Sequence, residues 1–310
     1  VFKLLYNSGY RSKTEAIGLG WNGILKLNDK ITVLSGIENN REDFGDTYDL
    51  ELNSYFLASQ YIVNEDFNFT LSSRRDIHSI FNTADTYQGS FSLFNSQNTR
   101  IRGSAGTSYL APNGWQMTKT DHLEAEKGTS YEIGVDHTFE KLNIDVDLTF
   151  FKNSFKQAID YVPNTESYTN YSNAEISGLE IGGNFYLSNI SSLRASYTYL
   201  DSDADLDAIG FLNRKPNHKI NVRYQINPND RLSITSFISF VDETTDVDYS
   251  TYNTVTLSDY TLASINARYE LNEYAEYYLS IMNVLDEEYE TIVGYNIPKL
   301  SFYSGVRLNF

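Results

Sequence analysis

Two aspartates in one short run have a spacing that could support hydrolytic chemistry. Asp145 and Asp147 lie two positions apart within residues 143–150. A pair of carboxylates can cleave a glycosidic bond when one donates a proton and the other acts as base or nucleophile. Neighbouring runs carry many further charges in the same alternating positions, so we interpret the pair as part of the lining of a water-filled space.

Alternating aspartates form a second candidate group, and their spacing could suggest a calcium loop. They are Asp201, Asp203, Asp205 and Asp207. A calcium loop of the helix–loop–helix type requires glycine at its sixth position and glutamate at its twelfth. Because Leu206 and Leu212 occupy those positions, we interpret the segment as a solvated acidic loop.

The remaining reactive side chains give no catalytic or metal-binding pattern. The four histidines are scattered, whereas zinc ligands recur at short spacings; they are His78, His122, His137 and His218. The chain has no cysteine, and it shows neither a nucleotide-binding loop nor a serine–histidine–aspartate order. The sequence therefore predicts no enzyme, no cofactor and no metal.

Tyrosine is abundant, with 25 in 310 residues, and eight tyrosines lie in predicted connections between strands. A tyrosine ring can contact a planar or apolar ligand, or it can form part of an aromatic girdle at a membrane interface. For all except Tyr249 we favour the girdle. The eight are Tyr109, Tyr161, Tyr168, Tyr171, Tyr249, Tyr252, Tyr289 and Tyr295.

The elements that must position these side chains are β-strands. Residues 301–310 alternate strictly, with Phe302, Val306, Leu308 and Phe310 on one face. Such alternation predicts a strand with one apolar and one wet face. Seven predicted hairpins with tight polar turns precede it. They are 13–27 with 30–38, 48–63 with 67–74, 90–94 with 99–107, 130–139 with 143–155, 179–187 with 193–200, 218–226 with 231–240, and 260–271 with 275–282.

Longer polar connections separate the hairpins. Short turns that alternate with long loops are typical of outer-membrane barrels. Charged residues recur on one face of strand after strand and cannot form a dry core, so the apolar face must point outward to lipid. We therefore predict an all-β fold, a transmembrane antiparallel up-and-down β-barrel. The connections are 39–47, 76–88, 109–127, 162–169, 201–216, 241–258 and 285–298.

The number of strands and the net charge set further expectations. About 15 strands are predicted, whereas bacterial single-chain barrels have an even number. Counting back from a last strand that runs toward the periplasm, the residues before Ser12 fall at an outer loop. We therefore expect residues 1–310 to be the C-terminal part of a longer barrel. The formal net charge of -17 argues against nucleic acid, because phosphates require a basic surface.

Five groups of residues, in the right order, resemble the TonB-dependent outer-membrane receptors. The resemblance implies a barrel of about 22 strands with a plugged lumen, from which this chain would lack the N-terminal plug domain and the first strands. The groups are 104–113 with 123–126 and 130–134, then 173–180, 214–218, 283–289, and finally Gly294 and Tyr295 with Pro298 and Phe310.

The resemblance assigns structural roles to single motif residues. The prolines are expected to end strand pairing at outer loops. The glycine should allow close approach on the lumen face, and the asparagine and neighbouring aspartate should form turns. The motif residues are Pro112, Glu126, Glu132, Gly178, Glu180, Pro216, Asn283, Asp286, Tyr289 and Phe310.

Three segments resemble cobalamin receptors in particular: residues 158–161, 246–252 and 286–295. The resemblance implies that Tyr249 and Arg214 contact the corrinoid, and it makes Tyr252, Tyr289 and Tyr295 further candidates. Siderophore receptors share the general motifs, so a ferric siderophore is the alternative ligand. A passive porin and an outer-membrane enzyme are less favoured.

The resemblance also implies partners and a location. Outer loops would capture a scarce nutrient, and the TonB–ExbB–ExbD complex would drive its import through the N-terminal part. Outer-membrane lipid and lipopolysaccharide would surround the barrel in the outer membrane of a Gram-negative bacterium.

Overall fold

A computed structural model shows one antiparallel β-sheet of fifteen strands in the residues that it describes, namely 15–44, 49–162, 165–204, 213–248, 250–295 and 297–309. Each strand pairs with the next along the chain, and β13 and β14 form a separate hairpin between β12 and β15. The strands are β1 (Glu15–Lys26), β2 (Ile31–Asp43), β3 (Asp49–Ile62), β4 (Phe67–His78), β5 (Ala84–Ser96), β6 (Thr99–Leu110), β7 (Glu126–Phe139), β8 (Ile144–Val162), β9 (Ser167–Ser188), β10 (Ser191–Ala204), β11 (His218–Asn229), β12 (Leu232–Val241), β13 (Thr244–Asp248), β14 (Asn253–Leu257), β15 (Tyr260–Asn272), β16 (Ala275–Met282) and β17 (Ser301–Leu308).

This up-and-down order confirms the predicted all-β architecture and the seven predicted hairpins. Two turns lie later than predicted, at residues 97–98 and 230–231. Several short turns share one mechanism, in which an asparagine side chain accepts hydrogen bonds from the backbone N–H groups two and three residues later. Asn28, Asn64 and Asn229 do so at 2.8–3.1 Å, which fixes the chain reversal.

Several outer connections are shorter than predicted, because their strands continue past the apolar part of the wall. β8 extends to Val162 and β9 begins at Ser167, so half of the predicted connection 162–169 is strand. The connections 39–47 and 76–88 are shortened in the same way. Polar side chains lie on both faces of these upper segments, so the apolar alternation that reveals a strand is missing although the pairing continues.

Four tyrosines that the sequence placed in outer loops therefore lie on strands. Tyr161 and Tyr168 are register partners, with ring centroids 5.3 Å apart. The strands β6, β8 and β9 are thus longer at their outer ends than the sequence indicated. The four are Tyr109 on β6, Tyr161 on β8, and Tyr168 and Tyr171 on β9.

Two outer connections contain structure that the sequence did not reveal. Residues 241–258 hold the β13–β14 hairpin. Residues 109–127 hold a short helix α1 (Gly114–Lys119), capped by a reciprocal pair of hydrogen bonds between Asn113 and Gln116. Among the described residues no helix is both long and apolar enough to cross a membrane. In the acidic segment 201–207, Asp201 and Asp203 belong to β10, and Asp205 and Asp207 lie outside the described residues.

The outward face of the wall is apolar over a limited height. On β8 it consists of Ile144, Val146, Leu148 and Phe150. Lys152, two residues beyond Phe150 and next on the same face, forms an ion pair of 2.7 Å with Glu175 of β9. Because an ion pair is stable in water and costly in hydrocarbon, this level lies at the outer edge of the apolar band.

Ion pairs connect the strands on the opposite face. Arg102 pairs with Glu132, and its Nη2 donates to the hydroxyl of Thr149 at 2.6 Å. A second group is centred on Arg74, whose nitrogens lie 2.9 and 3.0 Å from two carboxylates. These paired charges agree with the prediction that the charged face borders a wet interior, because a buried charge without a partner would be too costly.

Gly178 lies where two neighbouring strands leave no room for a side chain. A Cβ atom at this position would clash with the carbonyl oxygen of Tyr199 and would lie 2.6 Å from the ring of Phe151. The Phe151 ring therefore packs over bare backbone on the charged face of the sheet, which only glycine permits.

Candidate functional site

Three outer connections meet at one buried carboxylate. Asp246 of β13 binds Arg214 from the β10–β11 connection and the backbone N–H of Val293 from the β16–β17 connection. Nε and Nη2 of Arg214 lie 2.9 and 2.8 Å from Oδ1 of Asp246, and the nitrogen of Val293 lies 2.9 Å from Oδ2. We call Arg214, Asp246 and Val293 the loop clasp.

Local hydrogen bonds hold Arg214 and Asp246 in position. Arg214 has a φ of 58° and donates its own N–H to the carbonyl of Thr245 at 2.8 Å, which holds the arginine beside β13. At the end of β13, the carboxylate of Asp248 accepts hydrogen bonds from the N–H and the hydroxyl of Ser250 at 2.8 and 2.7 Å. Such short-range bonds stabilise the turn that presents Asp246.

The charge of Asp246 is stabilised although the side chain is inaccessible to solvent. Its exposed fraction is 0%, whereas that of the Arg214 side chain is 39%. Burial raises the pKa of a carboxyl group because it penalises the charged form. Hydrogen bonds from Arg214, Val293 and Val247 outweigh burial and hold the pKa of Asp246 below its usual value. The clasp is therefore charged at neutral pH.

The β16–β17 connection is shaped by two side chains near its start. The buried amide of Asn283 binds both the N–H and the carbonyl of Glu287 at 2.9 Å. Asp286 accepts a hydrogen bond of 2.9 Å from the N–H of Leu300, which ties the two ends of the connection together. Asn283 and Asp286 have φ values of 50° and 52°, in the left-handed region that these residue types tolerate.

A cavity of about 670 Å³ opens between this connection and the start of β15. Tyr289 lines it and packs against Tyr260, with ring centroids 4.5 Å apart. An aromatic wall with excess negative charge can bind a planar, amide-rich ligand and repels an anion. The charged side chains of the lining are Asp259, Glu288, Glu290 and Lys299.

The structure brings two of the five candidate ligand residues into these features. Arg214 belongs to the loop clasp, and Tyr289 lines the cavity. Tyr252 lies in the turn of the β13–β14 hairpin and is 49% exposed, and Tyr295 is 67% exposed. Tyr249 lies outside the described residues.

The motif residues occupy strand ends and strand contacts. Pro112 is buried just after β6, and Pro216 lies two residues before β11. Glu126 accepts a hydrogen bond of 2.5 Å from a backbone N–H of β8. Glu180 is exposed on β9, and Phe310 lies outside the described residues.

The side chains that could suggest catalysis or metal binding make structural contacts instead. Asp145 accepts hydrogen bonds of 2.8 and 3.2 Å from the hydroxyls of Thr138 and Tyr186. Nδ1 of His218 lies 2.9 Å from the hydroxyl of Tyr197. In the part of the chain that the structure describes, no group of three or more His, Asp or Glu could hold a metal ion.

The sequence did not identify Asp246 as a functional candidate. Its partners lie 32 and 47 positions away along the chain, so no local spacing could reveal them. The only signal was its position at the start of the motif segment 246–252. Burial of an aspartate among three connections became visible only in three dimensions.

Comparisons with known proteins identify the family. The model described as "TonB dependent receptor-like, beta-barrel" matches residues 2–284. The vitamin B12 transporter BtuB of Photobacterium profundum is 26% identical over 322 aligned residues, which cover 98% of this chain and 52% of that protein. The chain thus spans about half the length of this curated relative.

Solved structures agree in fold. The ferric enterobactin receptor PfeA of Pseudomonas aeruginosa superposes with a TM-score of 0.81 at 16% identity, covering 97% of this chain and 54% of that one. The siderophore receptor PirA of Acinetobacter baumannii gives 0.78 at 15% identity, covering 97% and 55%. These relatives are transporters and receptors rather than enzymes, as the sequence predicted. Since the family model matches most of its length, the chain belongs to the TonB-dependent receptor-like β-barrel family.

Proposed function

We propose that this chain is the C-terminal barrel portion of an outer-membrane receptor that captures cobalamin. The observation that carries the proposal is the 26% identity to a vitamin B12 transporter along 98% of the chain. The siderophore receptors share 15–16% identity, which supports a common fold and no more.

The charge of the outer cavity also supports cobalamin over a ferric siderophore. Three of its four charged side chains are acidic, and the whole chain carries a formal net charge of -17. A ferric catecholate complex is an anion, so this potential would oppose its approach. A corrinoid presents a broad ring rimmed by amides, which tyrosine faces and exposed hydrogen-bonding groups can bind.

Within this proposal, the loop clasp orients the outer connections around the ligand. Arg214 is held in place by Asp246 and leaves part of its guanidinium exposed, so it can donate a hydrogen bond to an amide or phosphate of the ligand. Tyr249, Tyr252, Tyr289 and Tyr295 are the proposed aromatic contacts.

The proposal includes the rest of the receptor. A plug domain and the first strands would precede this chain, and the TonB–ExbB–ExbD complex would act on the plug to release the bound ligand inward. The barrel would lie in the outer membrane of a Gram-negative bacterium, surrounded by lipid and lipopolysaccharide.

The test is a cobalamin titration of the complete receptor in detergent, followed by tryptophan fluorescence. We expect saturable binding that Tyr249→Ala weakens and that Tyr277→Ala, a change on the wall at β16, leaves unaltered. Saturable binding of a ferric siderophore without binding of cobalamin would overturn the assignment and favour iron transport.

A further inference from the structure

Two lysines lie directly opposite each other on the outward face of the wall, above the apolar band. Lys127 of β7 and Lys156 of β8 are register partners, and both are exposed. Like charges directly opposite on neighbouring strands destabilise a sheet. Neither lysine has an ion-pair partner among the described residues, although the chain carries 41 Asp and Glu against 24 Lys and Arg. An external anion would relieve this repulsion.

Lys127 and Lys156 line an outward-facing cavity of about 800 Å³. The segments 80–86 and 123–125 form its other walls. Two acidic side chains belong to the lining, but Asp85 is neutralised by Arg75, whose nitrogens bind both carboxylate oxygens at 2.7 and 2.8 Å. This leaves Glu124 as the remaining acid against two lysines, so the cavity favours an anion.

An apolar groove of about 610 Å³ continues from this cavity down the wall. Tyr87, Thr107 and Thr129 line both spaces, which makes them one continuous depression. Small residues form the floor of the groove and large apolar residues form its sides, so extended hydrocarbon chains can lie in it. The floor is Ser59, Ser73, Gly89 and Ala105, and the sides are Leu57, Leu71 and Tyr131.

The height of the two lysines above the apolar band limits which anionic lipid head groups can reach them. Lys156 lies six residues beyond Phe150, which ends the apolar run on the outward face of β8. Six residues correspond to about 20 Å along the strand and about 15 Å along the membrane normal at the usual tilt. The phosphate of a glycerophospholipid lies within about 7 Å of the hydrocarbon edge. The lysines therefore match a taller head group.

We propose that this depression binds one phosphorylated glycolipid of the outer leaflet, with phosphates on its sugar head group between Lys127 and Lys156 and with acyl chains in the groove. The inference rests on the outer-membrane location proposed above. It does not depend on which nutrient the receptor imports.

The test is a titration of the delipidated, complete receptor with a lipooligosaccharide that carries phosphorylated core sugars, followed by native mass spectrometry. We expect Lys127→Gln with Lys156→Gln to weaken binding about 20- to 30-fold, since each lysine near an anionic lipid contributes roughly a fivefold change in affinity. The matched control, Lys26→Gln with Lys141→Gln, removes the same charge at the short-turn end of the wall and should leave binding unchanged.

Two further experiments test the phosphate contact and the acyl-chain contact separately. Removing the phosphates from the glycolipid should weaken its binding to the unaltered receptor. The loss should equal the loss that the two lysine substitutions cause with the phosphorylated glycolipid. Gly89→Leu should fill the groove and weaken both glycolipids, and it should fold because a Cβ there meets only Leu71, at 3.4 Å. Melting of the lipid-free lysine variant should be unchanged or higher, because its like-charge repulsion is gone.

Three outcomes would overturn the inference: equal binding by the lysine variant, an equal loss in the control variant, or an equal dependence of phosphatidylglycerol binding on the two lysines. Failure of the cobalamin titration would leave these glycolipid measurements interpretable, since they use a different ligand and a different face of the wall.

Discussion

At the residue scale, the loop clasp determines how the outer connections are arranged. Asp246 is a buried charge whose two oxygens are satisfied by an arginine and by backbone N–H groups. Removing one partner from a buried ion pair is much more costly than removing one at the surface, because the other charge stays buried without compensation. The clasp is therefore the point at which a single substitution should loosen three connections.

We predict that Asp246→Asn lowers cobalamin affinity by about tenfold, or about 1.4 kcal/mol. The asparagine loses the charge that holds Arg214, and its amide cannot accept every hydrogen bond that the carboxylate accepts. Asp248→Asn is the matched control, because the side chain of Asp248 binds, among the described residues, only its own turn at Ser250 and Thr251. Titration of both variants is the measurement, and an equal loss in both would contradict a special role for the clasp.

The depressed pKa of Asp246 sets the pH range over which the clasp is stable. A carboxyl group whose pKa is lower in the folded state contributes stability above its unfolded pKa of about 3.9, and that contribution is lost as the pH falls through the folded value. We therefore expect hydrogen-exchange protection of the Val293 N–H to stay constant from pH 8 to pH 5. A loss of protection between pH 7 and pH 5 would show that a different group controls the contact.

At the element scale, the sequence predicted the lower part of the wall well and the upper part poorly. Fifteen strands were recognisable because lipid on one side and water on the other impose a strict period of two. Above Lys152 and Glu175, water lies on both sides of the sheet and the period of two disappears. The sequence therefore misplaced the outer ends of β8 and β9, and it assigned Tyr161 and Tyr168 to a loop. The burial of Asp246 depends on contacts between distant segments, which no local pattern encodes.

Packing between strands gives a second test at this scale. We predict that Gly178→Ala destabilises the barrel by about 1–3 kcal/mol, because the added methyl group must displace Phe151 and the Tyr199 backbone. Gly89→Ala is the control, since its Cβ meets only Leu71 at an ordinary distance of 3.4 Å. Thermal unfolding in detergent, read from the gel mobility of folded and unfolded barrel, should separate the two variants. Equal melting temperatures would contradict close packing at Gly178.

At the scale of the whole molecule, the formal charge of -17 influences which ligands approach the receptor. Salt screens such a field over a Debye length of about 10 Å at 0.1 M, so anionic ligands should bind better as salt rises and neutral ligands should be indifferent.

We therefore predict that cobalamin affinity changes less than about twofold between 50 and 500 mM sodium chloride, because an uncharged corrin surface has little to gain from screening. Titrations at several salt concentrations measure this directly. A steep increase of affinity with salt would indicate an anionic ligand group at the site and would count against the present assignment.

The strands that continue above the apolar band also affect how readily a protease cleaves the outer part of the barrel. An extracellular protease cleaves chain that opens locally, and backbone already paired in a sheet opens rarely. β8 and β9 stay paired up to Val162 and Ser167, so the described part of this rim offers little cleavable chain. Brief digestion of intact cells should therefore cut within residues 111–125 well before it cuts within the paired outer segments 152–162 of β8 and 167–175 of β9.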